Sequence, residues 1–273
     1  MLANIIDGKT IAATIREEIQ TQVAQLKSNH SIVPGLAVVL VGEDSASRTY
    51  VRNKEKACEK VGVNAVLHEY PDGIEERDLL GLIDDLNTDP STHAILVQLP
   101  LPKNIDPQRV LNAISPAKDV DGFHPTSIGK LVAGLPGPRP CTPAGLIELL
   151  DRSKIEIAGK EAVIVGRSNI VGKPAAFLLL ERHATVTICH SRTPDLAAKI
   201  RTADIVVAAV GRPQMITGDW LKTGSTILDV GINRDSNGKL VGDVDFESAK
   251  KVASAITPVP GGVGPMTITM LMK

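Results

Sequence analysis

Three polar residues, Ser47, Tyr50 and Lys54, are spaced so that they share one face of a helix, with Tyr50 and Lys54 one turn apart. A lysine is a candidate proton carrier, because burial or neighbouring cations lower its pKa towards neutrality. A Tyr–Lys pair at this spacing also occurs by chance on exposed helices. The pattern alone therefore indicates a candidate proton-transfer lysine and leaves that alternative open.

Two further polar residues are candidates for the same chemistry. Gln98 ends the apolar run 94–98, and ligands collect at the carboxyl ends of strands in open α/β sheets. Its amide oxygen can accept a hydrogen bond from the Lys54 ammonium, although it could equally satisfy a loop. Asp121 lies in the run 118–125 (KDVDGFHP), where one carboxylate can receive paired N–H donors from a heterocycle. Asp119 and Asp121 have no matching cluster of metal ligands, so we expect no metal.

A glycine-containing turn, Gly166 to Gly172 (GRSNIVG), follows the apolar run 162–165 and precedes a helical segment. Such glycines let the backbone approach a pyrophosphate, and the following helix offers free N–H groups at its N-terminus. However, Ser168 replaces the second glycine of G-x-G-x-x-G, and Pro174 stands where a P-loop has Ser or Thr. An ordinary strand–turn–helix explains the spacing equally well.

The end of the next apolar strand distinguishes between dinucleotides. Proteins that prefer NAD place an acidic residue there, about 20 residues beyond the glycine turn, to bind the ribose hydroxyls. Here the segment reads Cys189-His190-Ser191-Arg192-Thr193, with no carboxylate. Hydroxyl groups and a guanidinium suit a 2′-phosphate, which favours NADP. The alternative is that Arg192 is a solvated loop charge.

The elements around these residues predict an α/β fold. Strand-like runs at 36–41, 65–67 and 94–98 alternate with amphipathic helical segments at 47–61 and 75–86. After a Gly- and Pro-rich stretch at 118–143, a second series of strands follows at 162–165, 185–189, 205–210 and 226–230. With only one Trp, two Tyr and three Phe, the core must be aliphatic, as in buried parallel strands.

Composition excludes several classes of protein. The 30 basic and 31 acidic side chains give a net charge of −1, which argues against nucleic-acid and membrane-surface partners. Three widely spaced cysteines and no recognisable secretion signal predict a cytoplasmic protein. Residues 254–272 are uncharged and long enough to span a bilayer, but their prolines and glycines predict a buried loop and a helix instead.

Taken together, six segments resemble the bifunctional methylenetetrahydrofolate dehydrogenase/methenyltetrahydrofolate cyclohydrolase family, in order and over nearly the whole chain. The resemblance is carried by the segments 41–54, 87–101, 118–125, 140–143 (PCTP), 166–174 and 260–267 (PGGVGPMT). It implies two α/β domains flanking a cleft: a folate-binding catalytic domain at 1–139, to which a C-terminal helix at 264–273 returns, and a Rossmann-like NADP-binding domain at 140–263. The family usually continues beyond this point with further residues of the closing helix, so we expect either a short closing helix or a sequence trimmed at Lys273.

The resemblance implies an enzyme of one-carbon metabolism that oxidises 5,10-methylenetetrahydrofolate with NADP and hydrolyses the methenyl product to 10-formyltetrahydrofolate. Lys54 would handle protons during water attack, and Gln98 would hold and tune it. Folate would be bound by Ser47, Tyr50, Asp121, Pro260, Gly261 and Gly262. NADP would be bound by Gly166, Arg167, Ser168, Gly172, Ser191, Arg192 and Ile232. A homodimer is also implied.

Two alternatives to this function follow from the residues. The first is a different NADP oxidoreductase that shares only the second domain, in which Lys54 has no role. The second is a two-lobed small-molecule binding protein without catalytic activity.

Overall fold

The computed structural model describes residues 2–273 and divides into two compact units. One unit contains residues 2–13 and Pro140–Met270, and the other contains Thr14–Arg139 and Leu271–Lys273. Strand β1 (Asn4–Ile5) and the start of helix α1 (Gly8–His30) belong to the first of these units, and the rest of α1 belongs to the second. The predicted α/β class is confirmed.

The unit built on Thr14–Arg139 contains a three-stranded parallel sheet in the order β3-β2-β4. Every residue of the central strand is buried, which explains why its sequence (GLAVVLV) is a continuous apolar run. Helices α3 and α4 cover one face of the sheet with leucine, isoleucine and valine side chains. The elements are β2 (Gly35–Val41), α2 (Ser45–Val61), β3 (Asn64–Tyr70), α3 (Glu76–Thr88), β4 (Ala94–Val97), α4 (Pro107–Ala113) and α5 (Pro125–Val132).

The other unit contains a six-stranded, all-parallel sheet in the order β1-β11-β8-β7-β5-β6. Its core is aliphatic, as the scarcity of aromatic residues predicts. A two-stranded antiparallel hairpin, β9-β10, follows β8. The elements are α6 (Cys141–Arg152), β5 (Glu161–Val165), α7 (Gly172–Glu181), β6 (Thr185–Cys189), α8 (Leu196–Ile200), β7 (Ile205–Ala208), β8 (Thr226–Asp229), β9 (Asn233–Arg234), β10 (Leu240–Val241), α9 (Phe246–Ala249), β11 (Ala255–Ile256) and α10 (Val263–Met272).

The division differs from the predicted domain boundaries at both ends of the chain. Strand β1 pairs with β11, so the N-terminal residues extend the six-stranded sheet. Helix α10 packs against α6: the hydroxyl oxygens of Thr142 and Thr267 lie 2.8 Å apart, and a Cβ on Gly145 would lie 2.8 Å from Cβ of Met266. These contacts place residues 264–270 with Pro140–Met270, and only Leu271–Lys273 with Thr14–Arg139.

Candidate functional site

Helix α2 carries the first group of candidate residues. Asp44 begins the helix, because its carboxylate accepts a hydrogen bond from the backbone N–H of Ser47 at 2.7 Å. Gly62 ends it in the left-handed conformation, with φ of 85°. Ser47 and Lys54 are buried, and Tyr50 is half-buried. The three residues therefore lie on the inner side of α2, as the spacing predicts.

Lys54 is held by an amide from the end of strand β4. Its Nζ donates to Oε1 of Gln98 at 3.0 Å, and Nε2 of Gln98 donates to the carbonyl oxygen of Leu99 at 2.7 Å. The second hydrogen bond fixes the orientation of the amide, so the oxygen faces the ammonium. Lys54 is only 7% exposed, so this hydrogen bond replaces much of the hydration that the ammonium loses on burial.

Asp121 lies close enough to Lys54 for the ammonium to affect its titration. Part of the Asp121 surface remains accessible, but burial raises the pKa of this carboxyl to about 6. The Lys54 ammonium opposes this shift in pKa, and the Asp119 carboxylate adds to it. A carboxylate that titrates near pH 6 beside a buried lysine is typical of sites that manage protons.

The other two charged residues of this segment form hydrogen bonds with backbone groups. Asp119 accepts hydrogen bonds from the backbone N–H groups of Phe123 and His124, at 3.2 and 2.9 Å. Nζ of Lys118 donates to two carbonyl oxygens at the C-terminal end of α3, both at 2.8 Å. Asp119 is 3% exposed. The sequence does not distinguish Asp119 from Asp121, whereas the structure gives Asp119 a structural role.

Two further side chains near Lys54, those of Tyr50 and Cys58, remain protonated near neutral pH. Burial raises the pKa of the Tyr50 phenol, and it raises the pKa of the Cys58 thiol to about 11. Neither group competes with Lys54 as a base. The cluster therefore combines one amine with a neutral amide, a neutral phenol and a titrating carboxylate, and it can accept and return a proton at a single nitrogen.

The glycine turn between β5 and α7 has the close packing that requires glycine. A Cβ on Gly166, whose φ is 135°, would overlap the carbonyl oxygen of Ala209, and a Cβ on Gly172 would overlap that of Gly166. Oγ of Ser168 accepts hydrogen bonds from the backbone N–H groups of Val171 and Gly172, at 3.1 and 3.2 Å. Ser168 thus stabilises the turn through its hydroxyl group, and Gly172 allows the close approach of the backbone that the turn requires.

A cavity of about 470 Å³ opens beside this turn. Three of the predicted cofactor residues line it, namely Gly166, Arg167 and Ser191. Its polar lining, with two guanidinium groups and two hydroxyl groups near an open glycine turn, fits a dinucleotide that carries phosphates. The full lining is Val165, Gly166, Arg167, His190, Ser191, Thr193, Leu196, Ala209, Val210, Arg212 and Met215.

The structure does not bring all predicted cofactor residues to this cavity. Ser168, Gly172, Arg192 and Ile232 are not in its lining, and Ile232 is 54% exposed. The lining also contains His190 and Arg212, which are not predicted from the sequence, and Thr193, which is predicted only as one of the hydroxyl groups of the run 189–193. His190 and Thr193 belong to the same polar run after β6 as Ser191, so their position at the end of a strand could have indicated them. Nothing in the sequence indicates Arg212.

The Pro260-Gly261-Gly262 turn is tightly packed within the six-stranded unit. Gly261 has φ of 110°, and its carbonyl oxygen accepts a hydrogen bond from the backbone N–H of Lys9 at 3.1 Å. A Cβ on Gly262 would lie 2.6 Å from the carbonyl oxygen of Pro258. The positive φ of Gly261 and the close packing of Gly262 explain why both positions are glycine. The role of this turn in folate binding stays a prediction.

Residues 2–273 contain neither a cluster of metal ligands nor a membrane-spanning helix. Within that range, no group of three or more His, Cys, Asp or Glu side chains is arranged to hold a metal ion. None of the helices in the same range is both long and apolar enough to cross a membrane.

The chain is similar to known proteins over its whole length. It is 60% identical over 272 residues to the bifunctional protein FolD of Magnetococcus marinus, covering 100% of this chain and 95% of that protein. The crystal structure of the bifunctional FolD methylenetetrahydrofolate dehydrogenase/cyclohydrolase from Campylobacter jejuni superimposes with a TM-score of 0.97, at 49% identity, covering 99% of this chain and 96% of that one.

A second similar structure contains ligands. It is the N5,N10-methylenetetrahydrofolate dehydrogenase-cyclohydrolase of Trypanosoma brucei complexed with NADP cofactor and an inhibitor. Its TM-score is 0.95 at 41% identity, covering 100% of this chain and 95% of that one.

The two parts of the sequence also match separate family descriptions. Residues 6–121 match the catalytic domain of tetrahydrofolate dehydrogenase/cyclohydrolase, and residues 140–273 match its NAD(P)-binding domain. The family, the bifunctional activity and the NADP cofactor that the sequence predicts are thereby confirmed. The chain belongs to the tetrahydrofolate dehydrogenase/cyclohydrolase family of bifunctional enzymes.

Proposed function

We propose that this chain oxidises 5,10-methylenetetrahydrofolate with NADP and hydrolyses the 5,10-methenyl product to 10-formyltetrahydrofolate, with Lys54 as the proton carrier of the hydrolysis. The observation that carries this proposal is the buried hydrogen bond from Lys54 to Gln98, beside the titrating carboxyl of Asp121. All three residues lie in the part of the chain that matches the family's catalytic domain.

The hydrolysis needs a group that moves a proton. The oxygen of water bonds to the methenyl carbon of the amidinium cation, the bond from that carbon to N5 breaks, one water proton goes to N5 and the other is released. The Lys54 amine takes a proton from the attacking water and returns one to N5. Gln98 holds Lys54 in place through a neutral hydrogen bond, which orients the nitrogen without fixing its proton.

The oxidation needs positioning more than acid–base catalysis, because a nitrogen lone pair assists departure of the hydride from the methylene carbon. NADP supplies the hydride acceptor when it is bound. Arg167 and Ser191, from the lining of the 470 Å³ cavity, bind its phosphate and hydroxyl groups, and Gly166 lets the backbone approach them. Ser168 and Gly172 maintain the turn. Arg192 and Ile232 do not line the cavity, and their assignment to NADP rests on the family resemblance.

Folate binding draws on the same cluster as the hydrolysis. The Asp121 carboxylate accepts hydrogen bonds from the pterin ring N–H and its exocyclic amino group. The half-buried ring of Tyr50 stacks on the folate ring system, next to Ser47 on the same helix. Pro260, Gly261 and Gly262 supply backbone that approaches the ligand closely.

The test of the proposal is to incubate the chain with methylenetetrahydrofolate and NADP and to follow NADPH and the methenyl chromophore together. We expect NADPH to accumulate while the methenyl signal stays low and 10-formyltetrahydrofolate appears. NADPH with persistent methenyl product would indicate a dehydrogenase without the second step. No change in either signal would indicate a binding protein.

We further propose a homodimer that forms through strand β6. Among residues 2–273, β5 is the only strand that pairs with β6, so the other edge of β6 offers backbone groups to a partner. Ile188 on β6 is 39% exposed and Leu180 on α7 is 55% exposed, which adds apolar surface beside that edge. Replacing Ile188 with Lys should convert the dimer to a monomer in sedimentation, and a wild-type monomer would refute the proposal.

We also propose that the protein resides in the cytoplasm. Cys58, Cys141 and Cys189 are buried and form no disulfide, as expected in a reducing compartment. Cell fractionation followed by immunodetection tests this location, and recovery of the protein outside the cytoplasmic fraction would refute it.

A further inference from the structure

A buried carboxylate holds the segment that follows strand β7. Asp243 is fully buried, and its Oδ2 accepts hydrogen bonds from the backbone N–H groups of Val210 at 2.6 Å and Gly211 at 3.1 Å. Its Oδ1 accepts from the backbone N–H of Arg212 and from Nδ2 of Asn233, both at 2.9 Å. One side chain thus fixes three consecutive peptide units.

A second buried carboxylate, Asp229 at the end of β8, fixes Asp243 in turn. It accepts hydrogen bonds from the backbone N–H groups of Asp243, Val244 and Gly231, each at 2.9 Å. Within residues 2–273, neither carboxylate forms an ion pair with a lysine or arginine, so backbone N–H groups and the side-chain amide of Asn233 solvate the pair. Burial raises the pKa of Asp229 to about 7, which reduces the repulsion between the two groups near neutral pH.

Two glycines make this arrangement possible. A Cβ on Gly231 would lie 2.5 Å from Cγ of Asp243, and a Cβ on Gly242 would overlap a carboxylate oxygen of Asp229. Any larger residue at either position would displace a carboxylate. The backbone at Gly231 and Gly242 therefore packs directly against the carboxylates of Asp243 and Asp229, and this packing requires glycine at both positions.

We propose that Asp243 is a positioning residue for NADP, because it holds the 210–212 segment against the cofactor cavity. Val210 and Arg212 belong to the lining of that cavity, and their backbone N–H groups both donate to Asp243. The inference rests on the proposed function in so far as this cavity binds NADP. Asp243 itself is not in the cavity lining, so it acts through the segment that it holds.

A carboxylate is suited to this task because it accepts several N–H donors at once, and such charge-assisted hydrogen bonds are stronger than neutral ones. Without it, the three backbone N–H groups of residues 210–212 would lose their shared acceptor, and the segment would reorganise to find other partners. The backbone of Arg212 would then no longer be fixed, so its side chain would no longer be held in place at the cavity. Cofactor binding should weaken, while the chemistry at Lys54 in the other unit continues.

The primary test is Asp243→Asn, with NADP binding measured directly by calorimetry on the full chain. The amide keeps one acceptor oxygen but turns a donor towards backbone N–H groups, so we expect the Kd for NADP to rise about tenfold or more. The hydrolysis of methenyltetrahydrofolate, assayed without NADP, should keep its kcat and KM. Asp204→Asn is the matched control, because Asp204 accepts from the backbone N–H of Glu161 at the opposite ends of the strands.

A milder variant keeps the test decisive if Asp243→Asn does not fold. Asn233→Ala removes one donor and leaves the three amides in place, so we expect a smaller rise in the Kd for NADP, with hydrolysis unchanged. A folded variant with wild-type affinity for NADP, or an equal loss of NADP binding and hydrolysis, would overturn the inference.

The direct binding measurement also separates the two proposals. If the wild-type chain binds NADP but does not oxidise methylenetetrahydrofolate, the proposed function fails and the inference stands. Absence of NADP binding by the wild-type chain would overturn both.

Discussion

The Nζ of Lys54 lies 3.0 Å from Oε1 of Gln98, although the two residues come from different elements, helix α2 and the end of strand β4. The partner is a neutral amide, whereas most buried lysines pair with a carboxylate. A neutral acceptor orients the amine and still allows it to gain and lose a proton. This property distinguishes a proton carrier from a structural ion pair.

Replacing Lys54 with Met should abolish the cyclohydrolase activity and leave part of the hydride transfer. Loss of an acid–base group typically lowers the rate of its step about 10²- to 10⁴-fold, whereas oxidation needs no such group. The two activities are assayed separately, with methenyltetrahydrofolate and with methylenetetrahydrofolate plus NADP. Lys56→Met, on the exposed side of the same helix, is the control. Equal loss of both activities with folate binding intact would contradict this division of roles.

Replacing Gln98 with Glu should move the pH–rate profile of the cyclohydrolase to higher pH. A carboxylate at 98 would stabilise the charged ammonium of Lys54, so a higher pH would be needed to generate the amine. The profile is measured with methenyltetrahydrofolate over a range in which the fold is intact. Gln108→Glu, at an exposed position, is the control and should leave the pH–rate profile unchanged. An unchanged profile for Gln98→Glu would show that the hydrogen bond from Lys54 to residue 98 does not tune Lys54.

Folate binding should weaken as the pH falls through about 6, because that is the pKa to which burial raises Asp121. The charged form accepts two N–H donors and predominates above this pH, whereas the protonated form predominates below it. The KM for methylenetetrahydrofolate should therefore rise up to about tenfold for each pH unit below the pKa. Asp121→Asn should show a high KM that no longer varies in this range. Asp78→Asn, on the exposed side of α3, should behave as the wild type.

Replacing Arg167 with Gln should raise the KM for NADP more than replacing Arg192 with Gln. Arg167 lines the cofactor cavity and Arg192 does not. Loss of a charge-assisted hydrogen bond to a phosphate should raise the KM about tenfold. Initial rates at varied NADP and saturating folate give both values. A larger effect from Arg192 would mean that the 2′-phosphate lies outside the cavity, at the predicted loop.

Replacing Gly172 with Ala should destabilise the NAD(P)-binding unit by about 1–3 kcal/mol and weaken NADP binding. The added methyl group would overlap the carbonyl oxygen of Gly166, which is backbone and cannot move without distorting the turn. Chemical denaturation and calorimetry with NADP give the two effects. Gly81→Ala is the control, because its Cβ would meet open space on helix α3, and it should be neutral or stabilising.

Much of the catalytic cluster could be predicted from the sequence because its spacing is local. Ser47, Tyr50 and Lys54 lie on one helix, so helical periodicity alone places them on one face. The pairing of Lys54 with Gln98 is not local: the rule that ligands collect at the carboxyl ends of parallel strands selects Gln98, whereas Lys54 contacts it from the middle of helix α2. Asp119 and Asp121 are two residues apart in similar surroundings, and only the backbone geometry of the turn separates their roles.

The cofactor cavity was less accessible to prediction. The sequence predicts Arg192 because it follows a predicted strand, yet it is Arg212 that lines the cavity, from the segment after β7, which carries no motif. Strands β1 and β11 have two residues each, too few for any periodicity. Asp243 contacts residues that are more than 30 positions away, at 210 and 211, so its function depends on a fold that the local sequence does not encode.

The return of the N-terminal strand to the six-stranded sheet limits how the enzyme can be dissected. The chain passes from one unit to the other after Ala13, after Arg139 and after Met270, so no single cut in the gene yields two self-contained fragments. A fragment that starts at residue 140 would expose the edge of β11 that β1 covers. Anyone wishing to express or transplant the nucleotide-binding half would have to fuse the first thirteen residues back onto it, by circular permutation or as a separate peptide.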